Sequence, residues 1–337
     1  MQNTVAMKLA SPTSLSFSAT PTHAMGTGTA PVQLLQFGAL RAEIAPDVGG
    51  SLASLFTICP QTGEQRHWLR PASAVGLAQA DPLQMASFPL LPWCNRIRDG
   101  RFTFEGDAIQ VQAHPGLGPH AIHGLGWTNP WQITMRSNAH IGLRMAYDRS
   151  AQWPFAFSAT QTYTLDDTGL RIDIAVTNED ARRMPADIGH HPYFPHDTSG
   201  QGTRVTAQVQ GIWESDRELL PLQVVRDHPA VKALNDGMCL RDFDLDNNFT
   251  GFGGTAQVEW PNGDRLHMEA STSMDYFVLY CPKDQPIFCM EPVSNCTDWL
   301  NLRATPQSKD AGGNVLEPGQ TLRGHFRLDP APLSKVR

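Results

Sequence analysis

The chain has 337 residues, 41% of them hydrophobic and 18% charged, with 28 glycines, 26 prolines and a formal net charge of −7. That hydrophobic content supports a sizeable core, and the scattered Gly and Pro argue for many short elements joined by turns, against a coiled coil or helical bundle. The acidic balance leaves no basic footprint for nucleic acid or an anionic membrane, and nothing approaches the roughly 20-residue apolar run of a membrane span.

Residues 1–31 read as a poorly ordered extension, because Ser, Thr and Pro interrupt every apolar stretch there. No secretory signal is expected, and the location expected is cytoplasmic. From Gln33 the pattern is strand after strand. Ile141, Leu143, Met145 and Tyr147 alternate with His140, Gly142, Arg144 and Ala146; Leu170, Ile172, Ile174 and Val176 alternate with Arg171, Asp173, Ala175 and Thr177. A period of two sets one row of side chains against a core. Further strands are expected at 40–44, 102–111, 155–165, 204–212, 255–260, 265–270, 277–281 and 322–328. Turn signals punctuate them, and Pro261-Asn262-Gly263-Asp264 between two alternating runs reads as a hairpin.

Helix is expected only as a turn or two at 52–56 and at 296–302, the second capped by Ser294 or Asn295. The six cysteines, at 59, 94, 239, 281, 289 and 296, form no C-x-x-C pair. A chain of this length needs no disulfide staples, so they read as reduced, packed thiols. The architecture expected is one large antiparallel β-sandwich over residues 32–330, followed by a tail at 331–337.

Five irregular segments gather chemistry. The first, 88–102, carries Arg96, Arg98 and Arg101; Leu91, Trp93 and Ile97 make Arg96 the half-buried one, in need of a partner or a ligand oxygen. The second is Pro119-His120-Ala121-Ile122-His123-Gly124-Leu125-Gly126-Trp127. Its glycines let backbone approach a ligand, and Trp127 is expected to stack on a sugar's apolar face. Zinc spacing is absent from it.

In the third, His190 and His191 on an extended chain point to opposite faces, so at most one of them enters a given pocket. In the fourth, Asp244 and Asn247 read as parts of an Asx-rich turn beside Asp246. In the fifth, Glu291 ends an apolar run, and a buried carboxyl with an elevated pKa suits a general base near neutral pH. No nucleophile elbow, phosphate loop or dinucleotide fingerprint occurs.

In this order, Asn95-Arg96-Ile97, Gly100-Arg101-Phe102, Ile122-His123-Gly124, His191-Pro192-Tyr193-Phe194, Asp246-Asn247-Asn248-Phe249 and Glu291-Pro292, the chain resembles the aldose 1-epimerase (galactose mutarotase) family, from about Gln36 to Leu328. The resemblance implies a galactose-mutarotase-type sandwich that interconverts the anomers of a free sugar without cofactor; no metal site is expected, and the chain is expected to be a monomer or weak homodimer. It implies Glu291 as general base, His191 as general acid on the ring oxygen, and Arg96, His123 and Asp246 as holders of the sugar hydroxyls. His190 is implied to be a neighbour only. The chain departs from common family members at Leu125, at Pro195-His196 and at Asn247. All three fall in the expected pocket lining, where substrate identity is set. Two alternatives stand beside this reading: an epimerase of a hexose phosphate or acidic sugar, marked by Arg98 or Arg101 facing the pocket, and a non-catalytic carbohydrate-binding sandwich. A glycosidase or lyase would want paired carboxylates and ranks last.

Overall fold

Strand after antiparallel strand builds the molecule, in a computed structural model that describes residues 31–331 except 199, 200 and 284. The expected extension and tail lie, apart from residues 31 and 331 themselves, outside the described residues. Nine strands form one sheet in the order Gln132–Arg136, His140–Tyr147, Phe157–Leu165, Leu170–Asn178, Thr321–Pro330, Arg265–Ala270, Thr255–Glu259, Arg204–Ala207 and Met238–Cys239. The alternation in sequence becomes alternation in burial: Leu170–Asn178 buries every second side chain, and so does Arg265–Ala270. The Asn262-Gly263 hairpin joins Thr255–Glu259 to Arg265–Ala270 as expected.

A second sheet runs Pro221–Val225, Gly211–Ser215, Leu245–Thr250, Tyr276–Cys281, Ile287–Val293, Gly189–His190 and Pro89–Leu90, with Tyr193–Pro195 also paired to Ile287–Val293. Side chains from both sheets, such as Ile172, Ile174, Phe277, Phe288 and Met290, join one hydrophobic core. Ile287–Val293 differs from the half-buried strands, because from Phe288 onward its residues on both faces are buried. One face meets the core, and the other carries the site. A four-stranded sheet, Gln33–Phe37, Leu40–Ala45, Ser51–Ile58 and Gln65–His67, completes the main framework.

The expectations for helix need correction. Residues 52–56 belong to the strand Ser51–Ile58, whose first six residues are all buried, so no two-residue period marks it. The turn of helix Trp299–Leu302 does form, but Asp298 occupies its N-cap position. Ser294 and Asn295 are engaged elsewhere: Ser294 Oγ donates to Asp187, and the Asn295 amide donates to the Cys296 carbonyl at 2.7 Å. The helix Pro229–Asp236 was not expected, although it carries Pro at its first turn, a capping His228 and a left-handed Gly237 behind it. Among the described residues no helix is long and apolar enough to cross a membrane, and all six cysteines are free thiols.

Candidate active site

Register places the polar groups. Asp246 stands opposite Tyr280, Tyr280 opposite Cys289, and Cys289 opposite Tyr193, which makes one cross-strand row. Two residues along, Asn248, Val278 and Glu291 make the next row. Opposed residues share a face, and so do residues two apart. Asp246, Cys289 and Glu291 therefore project from the same side of the sheet. The segment expected to turn at Asn247 is instead the strand Leu245–Thr250, and the Asn247 amide donates to the Trp213 carbonyl at 2.9 Å.

His191 comes in from the adjoining segment. Its Nε2 lies 3.2 Å from Glu291 Oε1, and both side chains are buried. Phe88 stacks on one side of the imidazole at 4.7 Å and Tyr193 at 4.6 Å, while His123 meets it edge-on at 5.3 Å. His190 points elsewhere, with Nδ1 bonded to Ser87 at 2.5 Å and Nε2 to Gln161 at 3.1 Å. Adjacent residues on extended backbone do face opposite ways here.

Arg96 and His123 arrive together because two irregular segments are stitched to each other. Arg96–Ile97 pairs with Ala121–Ile122, the His123 N–H donates to the Asn95 carbonyl at 3.0 Å, and the Leu125 and Gly126 N–H groups share the Leu91 carbonyl. Asn95 (φ 57°) and His123 (φ 62°) both adopt the left-handed region. Such strain in non-glycine residues persists only where surrounding structure holds it, and it concentrates at functional sites. Gly124 has no alternative: a Cβ there would sit 2.0 Å from the Leu91 carbonyl oxygen. The Arg96 guanidinium lies 3.4 Å from the Asp246 carboxylate and donates to Asn95 at 3.1 Å.

Electrostatics around these groups are dominated by burial. Burial, with Asp246 adding repulsion, pushes the Glu291 carboxyl well above its ordinary range, against the pull of Arg96. Burial also drives His191 below its ordinary value, helped by Arg70 and Arg96. The 3.2 Å contact between the two opposes both shifts, since a proton on His191 and a charge on Glu291 stabilise each other. Burial and then the neighbouring His191 and Arg96 hold His123 neutral. His191 Nδ1 and Glu291 Oε2 have no hydrogen-bond partner in the protein.

Five of the expected residues, Arg96, His123, His191, Asp246 and Glu291, thus gather at one place. Trp127 does not join them at the surface. It is 1% exposed, stacks on Phe88 at 5.2 Å and donates from its indole N–H to the Gly124 carbonyl, so no ring face is left for a sugar. It braces the ring that braces His191. Arg98 and Arg101 are also engaged elsewhere, with Asp298 at 3.4 Å and with Gln110 at 2.6 Å.

Arg70 was missed by sequence reasoning: its guanidinium carbon lies 3.9 Å over the Tyr193 ring, and it donates to the Leu83 and Met85 carbonyls. Its signal, an Arg between apolar Trp68-Leu69 and Pro71, is the one that singled out Arg96. A cavity of about 870 Å³ lies away from these groups, bordered by Phe37, Leu40, Trp68, Asp166 and His267. Its Asp166 is held by two bonds from Arg327, which leaves it unsuited to proton transfer.

Comparison with known proteins agrees with this fold. An Escherichia coli K12 protein named as the uncharacterized YphB is 26% identical over 307 residues, covering 88% of this chain and 98% of that one. The solved structure of a candidate aldose 1-epimerase from E. coli K12 matches with a TM-score of 0.77 at 26% identity, over 90% of this chain and 99% of that one. A galactose mutarotase-like protein from Clostridium acetobutylicum shares the fold, with a TM-score of 0.76 at 20% identity over 90% of this chain and 99% of its own. The family model for aldose 1-epimerase matches residues 31–329, and with that span and these sheets the chain belongs to the aldose 1-epimerase family.

Proposed function

We propose that the chain is a mutarotase, interconverting the α and β anomers of a free, neutral aldose. The observation that carries this reading is the buried His191–Glu291 contact at 3.2 Å, with a free polar atom left on each residue. Burial favours a neutral pair, while mutual attraction and Arg96 favour imidazolium and carboxylate. These opposed effects act on one shared proton, which suits a pair that must both give and take protons near neutral pH.

The sugar's hemiacetal takes the place of the direct contact. Glu291 as carboxylate removes the proton of the C1 hydroxyl, and His191 as imidazolium protonates the ring oxygen. The C1–O5 bond breaks, leaving an aldehyde. After rotation about C1–C2 the O5 hydroxyl attacks the other face of the carbonyl, His191 recovers its proton, and Glu291 returns its own to O1. No atom or electron is gained or lost overall. Arg96, Asp246 and His123 hold the hydroxyls, and Phe88 and Tyr193 keep the imidazole in plane.

Arg98 and Arg101 have partners other than a ligand, which favours a neutral sugar over a phosphorylated one. Pure binding would not call for an acid and a base in buried contact. The test is proton NMR of anomer exchange on galactose, glucose, arabinose, fucose and glucose 6-phosphate. Acceleration of a neutral sugar, lost in His191→Asn, is expected. Broadened sugar signals without acceleration would point to a binding protein instead.

A further inference from the structure

We propose that His191, Cys289 and Glu291 form a site for a thiophilic divalent cation of the zinc type, and that the cation shuts down the acid–base pair when bound. The donor atoms of these three residues all lie within 4.8 Å of one another, and all three residues are buried. The strand Ile287–Val293 sets two of them: Cys289 and Glu291 are two residues apart and project from one face, onto which the segment carrying His191 folds.

Distances decide how ready the site is. Two ligands bound tetrahedrally at about 2.0–2.1 Å stand roughly 3.3 Å apart, and a sulfur ligand at about 2.3 Å stands roughly 3.6 Å from its neighbours. His191 Nε2 and Glu291 Oε1 already lie 3.2 Å apart. Only the thiol has to close in, from within 4.8 Å to roughly 3.6 Å. A second observation points the same way: Glu291, 2% exposed, keeps Oε2 without a hydrogen-bond partner. A carboxylate oxygen buried in that state is available to a metal.

The donor set selects the ion. One imidazole nitrogen, one sulfur and one carboxylate leave a fourth position for water or a sugar oxygen, which suits Zn²⁺ or Co²⁺. Mg²⁺ and Ca²⁺ demand six or more oxygen ligands and are not expected to bind. Binding displaces the thiol proton and the proton shared by His191 and Glu291, and both leave to solvent. The cation then occupies the two atoms assigned to proton transfer. Loss of turnover on binding rests on the mutarotase reading; binding itself does not.

The test is titration of the reduced full chain with Co²⁺, followed by absorbance. A thiolate-to-cobalt charge-transfer band in the near ultraviolet is expected, with visible bands of four-coordinate cobalt, both bleached by Zn²⁺. Cys289→Ala should abolish the charge-transfer band and weaken Co²⁺ binding by more than about tenfold, the scale at which lesser changes around metal ligands already act. Absence of the band, or its survival in Cys289→Ala with cobalt on Cys59 or Cys239, would overturn the site. Should Cys289→Ala fail to fold by circular dichroism, Glu291→Gln decides, since an unchanged affinity there overturns it equally. In anomer exchange Cys289→Ala should keep the basal rate and lose inhibition by Zn²⁺. If the wild type shows the cobalt spectrum but never turns over a sugar, the metal site stands and the mutarotase reading falls.

Discussion

Replacing Glu291 by Gln separates the chemistry from the architecture. The side chain is 2% exposed, and its Oε1 sits 3.2 Å from His191 Nε2. The amide of Gln fills the same space and keeps Oε1 as an acceptor, so the His191 ring keeps its contacts with Phe88 and Tyr193. What disappears is the base. General acid–base catalysis contributes about 10²–10⁴-fold, and at roughly 1.4 kcal/mol for each factor of ten the barrier rises by about 3–5 kcal/mol. Stability moves the other way. A carboxyl driven well above its ordinary range by burial is a group the fold tolerates at a cost, and a neutral amide removes that cost. The expected result is a kcat lowered by at least about a hundredfold with KM little changed, and a melting temperature equal to or above that of the wild type. Anomer exchange by NMR and thermal unfolding by circular dichroism measure the two halves. An unchanged kcat would refute the base assignment. A lost rate accompanied by a collapsed melting temperature would make Glu291 a structural residue whose removal merely unfolds the site.

Three further outcomes are expected. Asp246→Asn should raise KM about tenfold or more while changing kcat less, since a hydrogen bond to a charged group is worth roughly 1.5–3 kcal/mol; steady-state kinetics on the best neutral sugar measure it, and an unchanged KM removes Asp246 from the hydroxyl-binding set. Trp127→Ala should cost about 3–5 kcal/mol of stability, read by denaturant unfolding, and if stability held while sugar affinity fell, the indole would be a ligand platform after all. Asp187 is fully buried, and its pKa is raised to about 8 by burial, against hydrogen bonding from Ser294. Its folded-state pKa exceeds the unfolded value, so its contribution is fully present below about pH 4 and declines as pH rises toward 8, by roughly 1.4 kcal/mol per pH unit. Unfolding free energies should therefore converge on those of Asp187→Asn at low pH and fall below them as pH rises, whereas parallel profiles would rule the effect out.

Legibility in the sequence follows how many faces of an element are buried. Leu170–Asn178 and Arg265–Ala270 each bury one face, and their period of two survives in the residue types. Ser51–Ile58 buries both faces over its first six residues, so its apolar run fits a short helix as well as a strand. The helix Pro229–Asp236 carries a readable Pro start and Gly stop, but its eight residues bury only Ala230, Val231 and Leu234, too narrow an apolar stripe to show a helical period. The site divides along the same line. Arg96, His123 and Glu291 were legible because each charged or imidazole group interrupts an apolar or glycine-rich stretch, and such interruptions need a physical reason; His191 and Asp246 stood out only through the order of motifs shared with the aldose 1-epimerase family.

What the residues could not express is relation across the sheet. Trp127 beside glycines reads equally as a ligand platform or as core, and the choice was made by Phe88, nearly forty positions earlier in the chain, whose ring covers it. Cys289 reads as one more packed thiol until register sets it opposite Tyr193 and Tyr280 and on the face of Glu291. Pairing distances of this kind are fixed by hydrogen bonds between strands far apart in sequence, and no local pattern carries them. The same register that brings Glu291 to 3.2 Å from His191 sets a sulfur beside them. A catalytic pair assembled on a strand with a cysteine two residues away is therefore expected to be sensitive to thiophilic metals, whichever sugar it serves.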